Sequence, residues 1–269
     1  MPAPSRPADV PVPAPGRRPP PGPGVVERAF ALLRAFDAEH RTLALSDLAR
    51  RSGTPRSSAL RLARSLVDVG ALERLDDGRF TVGLGLLEVA PRGHGLREVA
   101  LPFMEDLFHV TRQHVLLAVR DGTDALLVER LSAHDADAVR YRVGGRIPLA
   151  TTGVGLVLLA HAPHDVQEDA VGRFASGDRQ EAFDGPQDLR RMLAEVRRGG
   201  FAVGRTGQPW ARSTAAAPVR GPDGVVAALS VVTPSDAFDP VGSVAAVRAA
   251  ARGVSRELCQ EALPASPAS

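Results

Sequence analysis

The sequence predicts an α+β chain of two domains, in which three helices and a hairpin precede a sheet flanked by helices. Three observations carry that reading. Apolar residues recur at helical spacing in the stretches that follow Val25, a Gly-containing turn at Asp77-Gly78 joins two short strand-like runs, and beyond residue 112 strand runs and helical runs are interspersed.

The chain has 269 residues, of which 44% are hydrophobic, enough to bury two modest cores. All 33 basic residues are arginine and the net charge is only +2, so a nucleic-acid footprint has to be local. One cysteine, Cys259, excludes an internal disulfide framework and a multi-cysteine zinc site. No apolar run approaches the roughly 18 residues of a membrane span, and the expected setting is the reducing cytoplasm. Residues 1–24 carry ten prolines and lack the apolar core of a secretory signal, which predicts a disordered, partly polyproline-extended arm. Residues 264–269 read as a disordered tail.

From Val25 onward, Val26, Ala29, Phe30 and Leu33 line one face of a helix expected to last about four turns and to end near His40. Ser46 is a good N-cap for the next helix, with Asp47 in its first turn and Gly53 closing it. Thr54 as N-cap and Pro55 at the first helical position start a third helix over 55–69, stopped by Gly70. "ALERL", the turn "DDG" and "RFTV" then form a hairpin. Three helices followed by a hairpin, here over 25–83, is the order of a winged helix-turn-helix domain.

Between Asp47 and Asp68 stand five arginines and no acid. At 100° per residue, Ala59, Leu62, Ala63 and Leu66 share the inner side of the third helix, while Ser57, Arg61, Arg64 and Ser65 lie opposite, with Ser58 on the flank and Arg56 in the first turn. Small hydroxyls and guanidinium groups without an acid suit a helix in the major groove of double-stranded DNA, where Arg bonds guanine edges or phosphate and Ser bonds either. Arg50 and Arg51 on the preceding helix, and Arg74 and Arg79 on the hairpin, are placed for phosphate contacts. The alternative is a solvated arginine face on an ordinary helical domain.

Residues 84–95 read as a linker and 96–263 as the second domain. "HVLLAVRDGTDALLVERL" predicts two strands, "DAVRYRV" a third, and Thr152–Ala160 an apolar helix after a loop with Gly144, Gly145 and Pro148. Helices at about 165–175 and 188–198, strands at "FAVGR", "ARSTAAAPV" and "GVVAALSVV", and a closing helix complete it.

The stretches "VERAFALLRAF", "LALSDLARRSGTPRSSALRLARSLVDVGALER", "LREVALPFMEDL", "VGGRIPLATTGVGLVLLA" and "RGGFAV" followed by "AAPVRGPDGVVAALSV" resemble the IclR family of bacterial transcriptional regulators from Val25 to about Leu263. The resemblance implies a dimerising winged-helix domain, a linker helix and a GAF-like effector-binding domain, in a homodimer or homotetramer. It places Gly145, Thr151, Thr152, Trp210, Thr214, Ser230 and Val232 at the effector pocket. Where relatives commonly carry His, Lys, an acid and a second hydroxyl, this chain has Ala150, Leu156, Gly204 and Val232. The pocket this implies takes a largely apolar effector with one or two hydroxyl or carbonyl groups, because each lost charged donor removes a hydrogen bond of about 1.5–3 kcal/mol.

Enzymatic readings are weaker. His109 and His114 bracket the end of a connector helix, and His161 and His164 stand beside Asp165 with a metal-like spacing, but Pro163 interrupts that turn and no third ligand stands out, so no metal and no cofactor are expected. Cys259 reads as a small packing residue. The "GLG" of Gly83–Gly85 lacks the rest of a dinucleotide fingerprint. The expectation is a ligand-responsive regulator with a pseudo-palindromic operator, and a constitutive DNA-binding protein whose second domain only oligomerises stays open beside it.

Overall fold

The computed structural model of the chain describes residues 23–37, 39–89, 95–132, 141–175, 183, 185–206 and 211–261. The chain divides into two compact units, Met1–Gly93 and His94–Ser269.

In the first unit, helices α1 (Val25–Leu33), α2 (Leu45–Arg51) and α3 (Arg56–Asp68) enclose Leu32, Leu48, Ala59, Leu62 and Ala63. Leu43, Leu72 and Phe80 close this core from a small antiparallel sheet of β1 (Thr42–Leu43), β2 (Leu72–Arg74) and β3 (Phe80–Val82), in the order β1-β3-β2. Burying each large apolar side chain contributes about 1.5–3 kcal/mol. Strands β2 and β3 are the expected hairpin, turned by Gly78 at φ +80°. The partner strand β1, paired Leu43 to Phe80, was not foreseen.

Helix starts and stops differ from expectation for local reasons. Helix α1 ends at Leu33, well short of His40, because the Asp37 carboxylate accepts the N–H groups of Glu39 (2.9 Å) and His40 (2.8 Å) and so draws the backbone into a turn. Ser46 caps nothing: α2 starts at Leu45 with Ala44 as its N-cap residue. Pro55 occupies the cap position of α3, its carbonyl accepting the Ala59 N–H at 2.8 Å, while the buried Thr54 turns its hydroxyl toward the Ser52 carbonyl. The two glycines of "GLG" serve close packing. A Cβ on Gly83 would fall 2.2 Å, and one on Gly85 2.8 Å, from the Gly70 carbonyl oxygen, and helix α4 (Gly85–Val89) starts from that contact.

The second unit is a six-stranded antiparallel sheet with helices on both faces. Its strands are β4 (His114–Asp121), β5 (Asp124–Leu131), β6 (Arg146–Pro148), β7 (Ala202–Thr206), β8 (Arg212–Gly221) and β9 (Gly224–Pro234), in the order β6-β5-β4-β9-β8-β7. Helices α5 (Leu96–Thr111) and α9 (Pro240–Glu261) cover one face over Val115, Leu117, Ala215, Leu229 and Val231. Helix α6 (Gly153–Ala160), with α7 (His164–Ala175) and α8 (Pro186–Gly199), covers the other over Leu116, Ala118, Ala216 and Ala228. All eight residues of α6 are buried, which accounts for an apolar run without helical periodicity.

The third described strand of this unit lies in what was expected to be a loop. Residues 137–140 lie outside the described residues, and Tyr141–Val143 form no strand. Gly144 at φ +77° makes a turn there, and the Gly145 N–H donates to the Arg142 carbonyl at 2.8 Å. The strand comes after that turn, where Arg146 reaches Asp121 (2.6 Å) and Asp124 (3.5 Å), and Pro148 is tolerated because β6 is an edge. Cys259 is exposed on α9, where a small packing residue was expected.

Candidate nucleic-acid interface and ligand pocket

Helix α3 divides as its sequence requires. Ala59, Leu62 and Ala63 are buried, and Arg56, Ser57, Arg61, Arg64 and Ser65 are exposed, with Ser58 half-buried on the flank. The Ser65 hydroxyl donates back to the Arg61 carbonyl at 3.2 Å. Arg56, Arg61 and Arg64 make no ion pair among the described residues, so their guanidinium donors face outward without an acceptor.

The flanking arginines are held differently. Arg50 pairs with Asp47 at 3.0 Å across one helical turn, and Arg79 with Asp77 at 2.6 Å within the β2–β3 turn; both stay exposed. Arg74 is exposed on β2. Arg51 is engaged internally: its Nε donates to the Ala35 carbonyl at 2.7 Å and an Nη to Asp37. That guanidinium ties the end of α2 to the chain leaving α1, a structural role that sequence reasoning missed when it grouped Arg51 with Arg50. Asp37 is the node of this tie. Hydrogen bonds from the His40 side chain, then from the backbone of His40 and Glu39, hold its carboxyl well below the usual carboxylate range. Asp77 is lowered in the same direction, first by the Arg79 backbone N–H and then by the Arg79 side chain.

In the second unit, side-chain alternation along β8 and β9 brings Thr214 and Ser230 to the face beneath α6. Thr214 is paired with Val232 and with Gly204, and Ser230 with Ala216, so the two hydroxyls sit diagonally across adjacent strands. Both hydroxyl oxygens are buried without a hydrogen-bond partner among the described residues. Val232 is half-buried beside them, packed on the same core. Gly153 at the start of α6 presses on this spot, since a Cβ there would lie 2.8 Å from both Oγ1 and Cγ2 of Thr214.

The other expected pocket residues divide. The Thr152 hydroxyl accepts the Gly155 N–H (3.1 Å) and faces the Pro148 carbonyl (3.3 Å), so it is committed to capping α6. Gly145 holds the preceding loop to β5 through its carbonyl, which accepts from the Leu127 N–H at 3.0 Å. Thr151 is half-buried before the helix. Trp210 lies outside the described residues. One polar neighbour was unforeseen: His114 is buried opposite Val232 in the β4–β9 ladder, its Nδ1 2.9 Å from the Ser132 hydroxyl. Its alternation with Leu116 was the available signal. The two histidines weighed as metal ligands go to separate partners: His161 Nδ1 meets the Val157 carbonyl at 2.9 Å, and His164 stands exposed 4.0 Å from Glu168. Burial, with Arg220 and Arg197 nearby, pushes the His161 pKa down. No described helix is long and apolar enough to cross a membrane.

Comparison with known proteins agrees with both halves. Residues 25–76 match the IclR helix-turn-helix domain and residues 90–256 the bacterial transcriptional regulator IclR C-terminal domain. The chain belongs to the IclR family of bacterial transcriptional regulators. It is 31% identical over 247 residues to the glycerol operon regulatory protein of Streptomyces coelicolor, covering 87% of this chain and 95% of that one. A 32% identical match to the regulator KipR of Bacillus subtilis covers 52% of this chain and 57% of the relative. The crystal structure of an IclR homolog from Microbacterium hydrocarbonoxydans complexed with 4-hydroxybenzoate is similar at a TM-score of 0.79 and 35% identity, over 87% of this chain and 99% of that one. As an IclR-family chain, this protein is a DNA-binding transcriptional regulator with a C-terminal domain of the family's α+β type.

The Asp37 node gives a pH prediction. A carboxyl whose pKa is depressed by folding stabilises the fold above the unfolded value of about 3.9, and that contribution disappears as pH falls through the lower folded value. Asp37→Asn is expected to lower the melting temperature at neutral pH and to flatten the loss of stability on acidification. Thermal denaturation of both proteins from neutral pH down to strong acid checks this, and parallel curves would contradict it.

Proposed function

We propose that this chain is a cytoplasmic, homo-oligomeric regulator that binds a pseudo-palindromic operator, and that a small, largely apolar effector modulates the binding. In this reading residues 25–83 bind DNA, 84–95 link, and 96–263 bind the effector and oligomerise. The observation that carries it is the outward face of α3, where three arginines and small hydroxyls meet no acid. Arg56, Ser57, Ser58, Arg61 and Arg64 reach base edges or nearby phosphates, and Arg74 contacts the flanking backbone together with Arg50 and Arg79, once DNA competes with the exposed carboxylate partners of those two. Exposed apolar side chains on the first unit, among them Val26, Phe30, Leu84 and Leu87, support association through this unit.

For the effector, the support is the pair of buried, unpartnered hydroxyls of Thr214 and Ser230 in otherwise apolar surroundings. Each costs about 1–3 kcal/mol unless something bonds to it. A ring carrying a hydroxyl or carbonyl supplies the partner and suits the apolar surroundings. The 4-hydroxybenzoate held by the Microbacterium relative has such a ring. Trp210 belongs to this site by resemblance and is proposed as its stacking wall.

Two measurements test these halves. Arg61→Ala is expected to relax base preference at one position of each half-site, at a cost of about 1–3 kcal/mol, whereas Arg50→Ala weakens all sequences alike and lowers the salt slope by about one. Competition binding with single-base operator variants reads the difference, and an Arg61→Ala protein with unchanged affinity and preference would remove α3 from the groove. In a thermal-shift screen, phenols and hydroxylated or carbonyl-bearing aromatics are expected to raise the melting temperature, and Ser230→Ala to reduce the shift. Stabilisation by small aliphatic carboxylates such as glyoxylate or pyruvate alone would overturn the apolar assignment, and stabilisation by no compound would favour a domain that only oligomerises.

A further inference from the structure

The first unit contains a crevice that neither the arginine face of α3 nor the family match explains. Its walls are Glu27, Arg28 and Ala31 on α1 and the segment Ser52–Pro55 that joins α2 to α3. Arg28 points into it. Among the described residues, the buried Arg28 Nε has no hydrogen-bond partner and the side chain makes no ion pair. No side chain of the walls bonds it among the described residues. The Ser52 and Thr54 hydroxyls are turned to the carbonyls of Ala49 (3.3 Å) and Ser52 (3.4 Å), and the Glu27 Oε2 accepts the Gly24 N–H at 2.7 Å. A buried donor of a charged group left without an acceptor is costly, so the arrangement fits a state in which an acceptor arrives from outside.

We propose that Arg28 is a DNA-backbone anchor whose guanidinium receives one phosphodiester of the duplex at this crevice. The inference rests on the reading that α3 lies against DNA. The crevice wall Ser52–Pro55 runs directly into Arg56 and Ser57 at the exposed start of α3, so a duplex engaged by that helix passes the crevice mouth. A phosphodiester matches the chemistry: it brings negative charge and acceptor oxygens in the planar geometry a guanidinium bonds best. Glu27 on the same wall favours a singly charged diester over a free phosphate dianion, which it would repel more strongly. Arg28 is then a positioning contact that fixes the register of α1 against the backbone and reads no base.

The test compares full-length wild type, Arg28→Gln, Arg28→Lys, Ala31→Glu and Arg61→Ala by fluorescence anisotropy, on operator and mixed-sequence duplexes over a range of salt concentrations, with melting temperatures taken without DNA. Arg28→Gln is expected to weaken both duplexes by the same factor, about tenfold, and to lower the salt slope by about one per protomer. Arg28→Lys keeps the slope, and Ala31→Glu, which sets a carboxylate one helical turn from Arg28 to compete with phosphate for it, weakens both duplexes. The DNA-free melting temperature of Arg28→Gln stays level or rises. An unchanged slope overturns the proposal, and a fallen melting temperature with an unchanged slope assigns Arg28 to packing instead. Inorganic phosphate that stabilises the wild type but not Arg28→Gln, again with the slope unchanged, makes the crevice a free-anion site and also overturns it. If Arg61→Ala too leaves binding untouched, the failure lies with α3 in the groove rather than with Arg28 alone.

Discussion

The tie from Arg51 to the Ala35 carbonyl and Asp37 is the contact on which the DNA-binding unit depends. It fastens the end of α2 to the chain leaving α1 at the point where the backbone turns toward α3. With that turn fixed, Leu48, Ala59 and Leu62 close one small core, and the opposite face of α3 is presented outward. The tie also sorts the arginines of the unit. Those with a carboxylate in reach, Arg50, Arg51 and Arg79, are held to it, and those of α3 have none. Exposed ion pairs are worth about 1 kcal/mol or less, so the pairs at Arg50 and Arg79 yield readily to phosphate, while the partly buried hydrogen bond of Arg51 to a backbone carbonyl does not.

A different constraint governs the second unit. The long ladder between β8 and β9 fixes which side chains face which helices, and a slip of one residue would exchange them. Correct register sends Ala215, Leu229 and Val231 to the core under α5 and α9, and puts Thr214 and Ser230 under α6. Small residues then decide how near the helix comes. Gly153 rests on Thr214, and a Cβ on Gly155 would fall 2.3 Å from the Leu149 carbonyl oxygen. The start of α6 is therefore seated on the sheet directly against Thr214.

Much of this was legible in the residues. The inner and outer faces of α3 follow from the spacing of Ala59, Leu62, Ala63, Arg61 and Arg64, because a helix on a small core leaves little freedom in which stripe it buries. Helix α6 and the strands from β7 to β9 were legible from apolar runs bounded by Gly and Pro. Long-range pairing was not. The two residues of β1 carry no period of their own and become a strand only because β3 offers them an edge. The shift of the third strand to Arg146–Pro148 depends on a Gly144 turn and on carboxylates at Asp121 and Asp124, more than twenty residues earlier in the chain. Arg51 and Arg50 are equivalent in sequence and differ only in what the fold brings to them. Of the residues proposed for the pocket, Thr214 and Ser230 were placed by resemblance alone, and Thr152, placed in the same way, also caps α6.

The central claim is that α3 reads DNA as part of a symmetric assembly, and selection of bound duplexes from a random-sequence pool by the wild-type protein tests it most directly. The account predicts enrichment of paired, inverted half-sites whose centres lie about one helical turn, or a multiple of it, apart, with guanine at defined positions for the arginines of α3. Enrichment of no sequence, or of a single asymmetric site without an inverted partner, would contradict it.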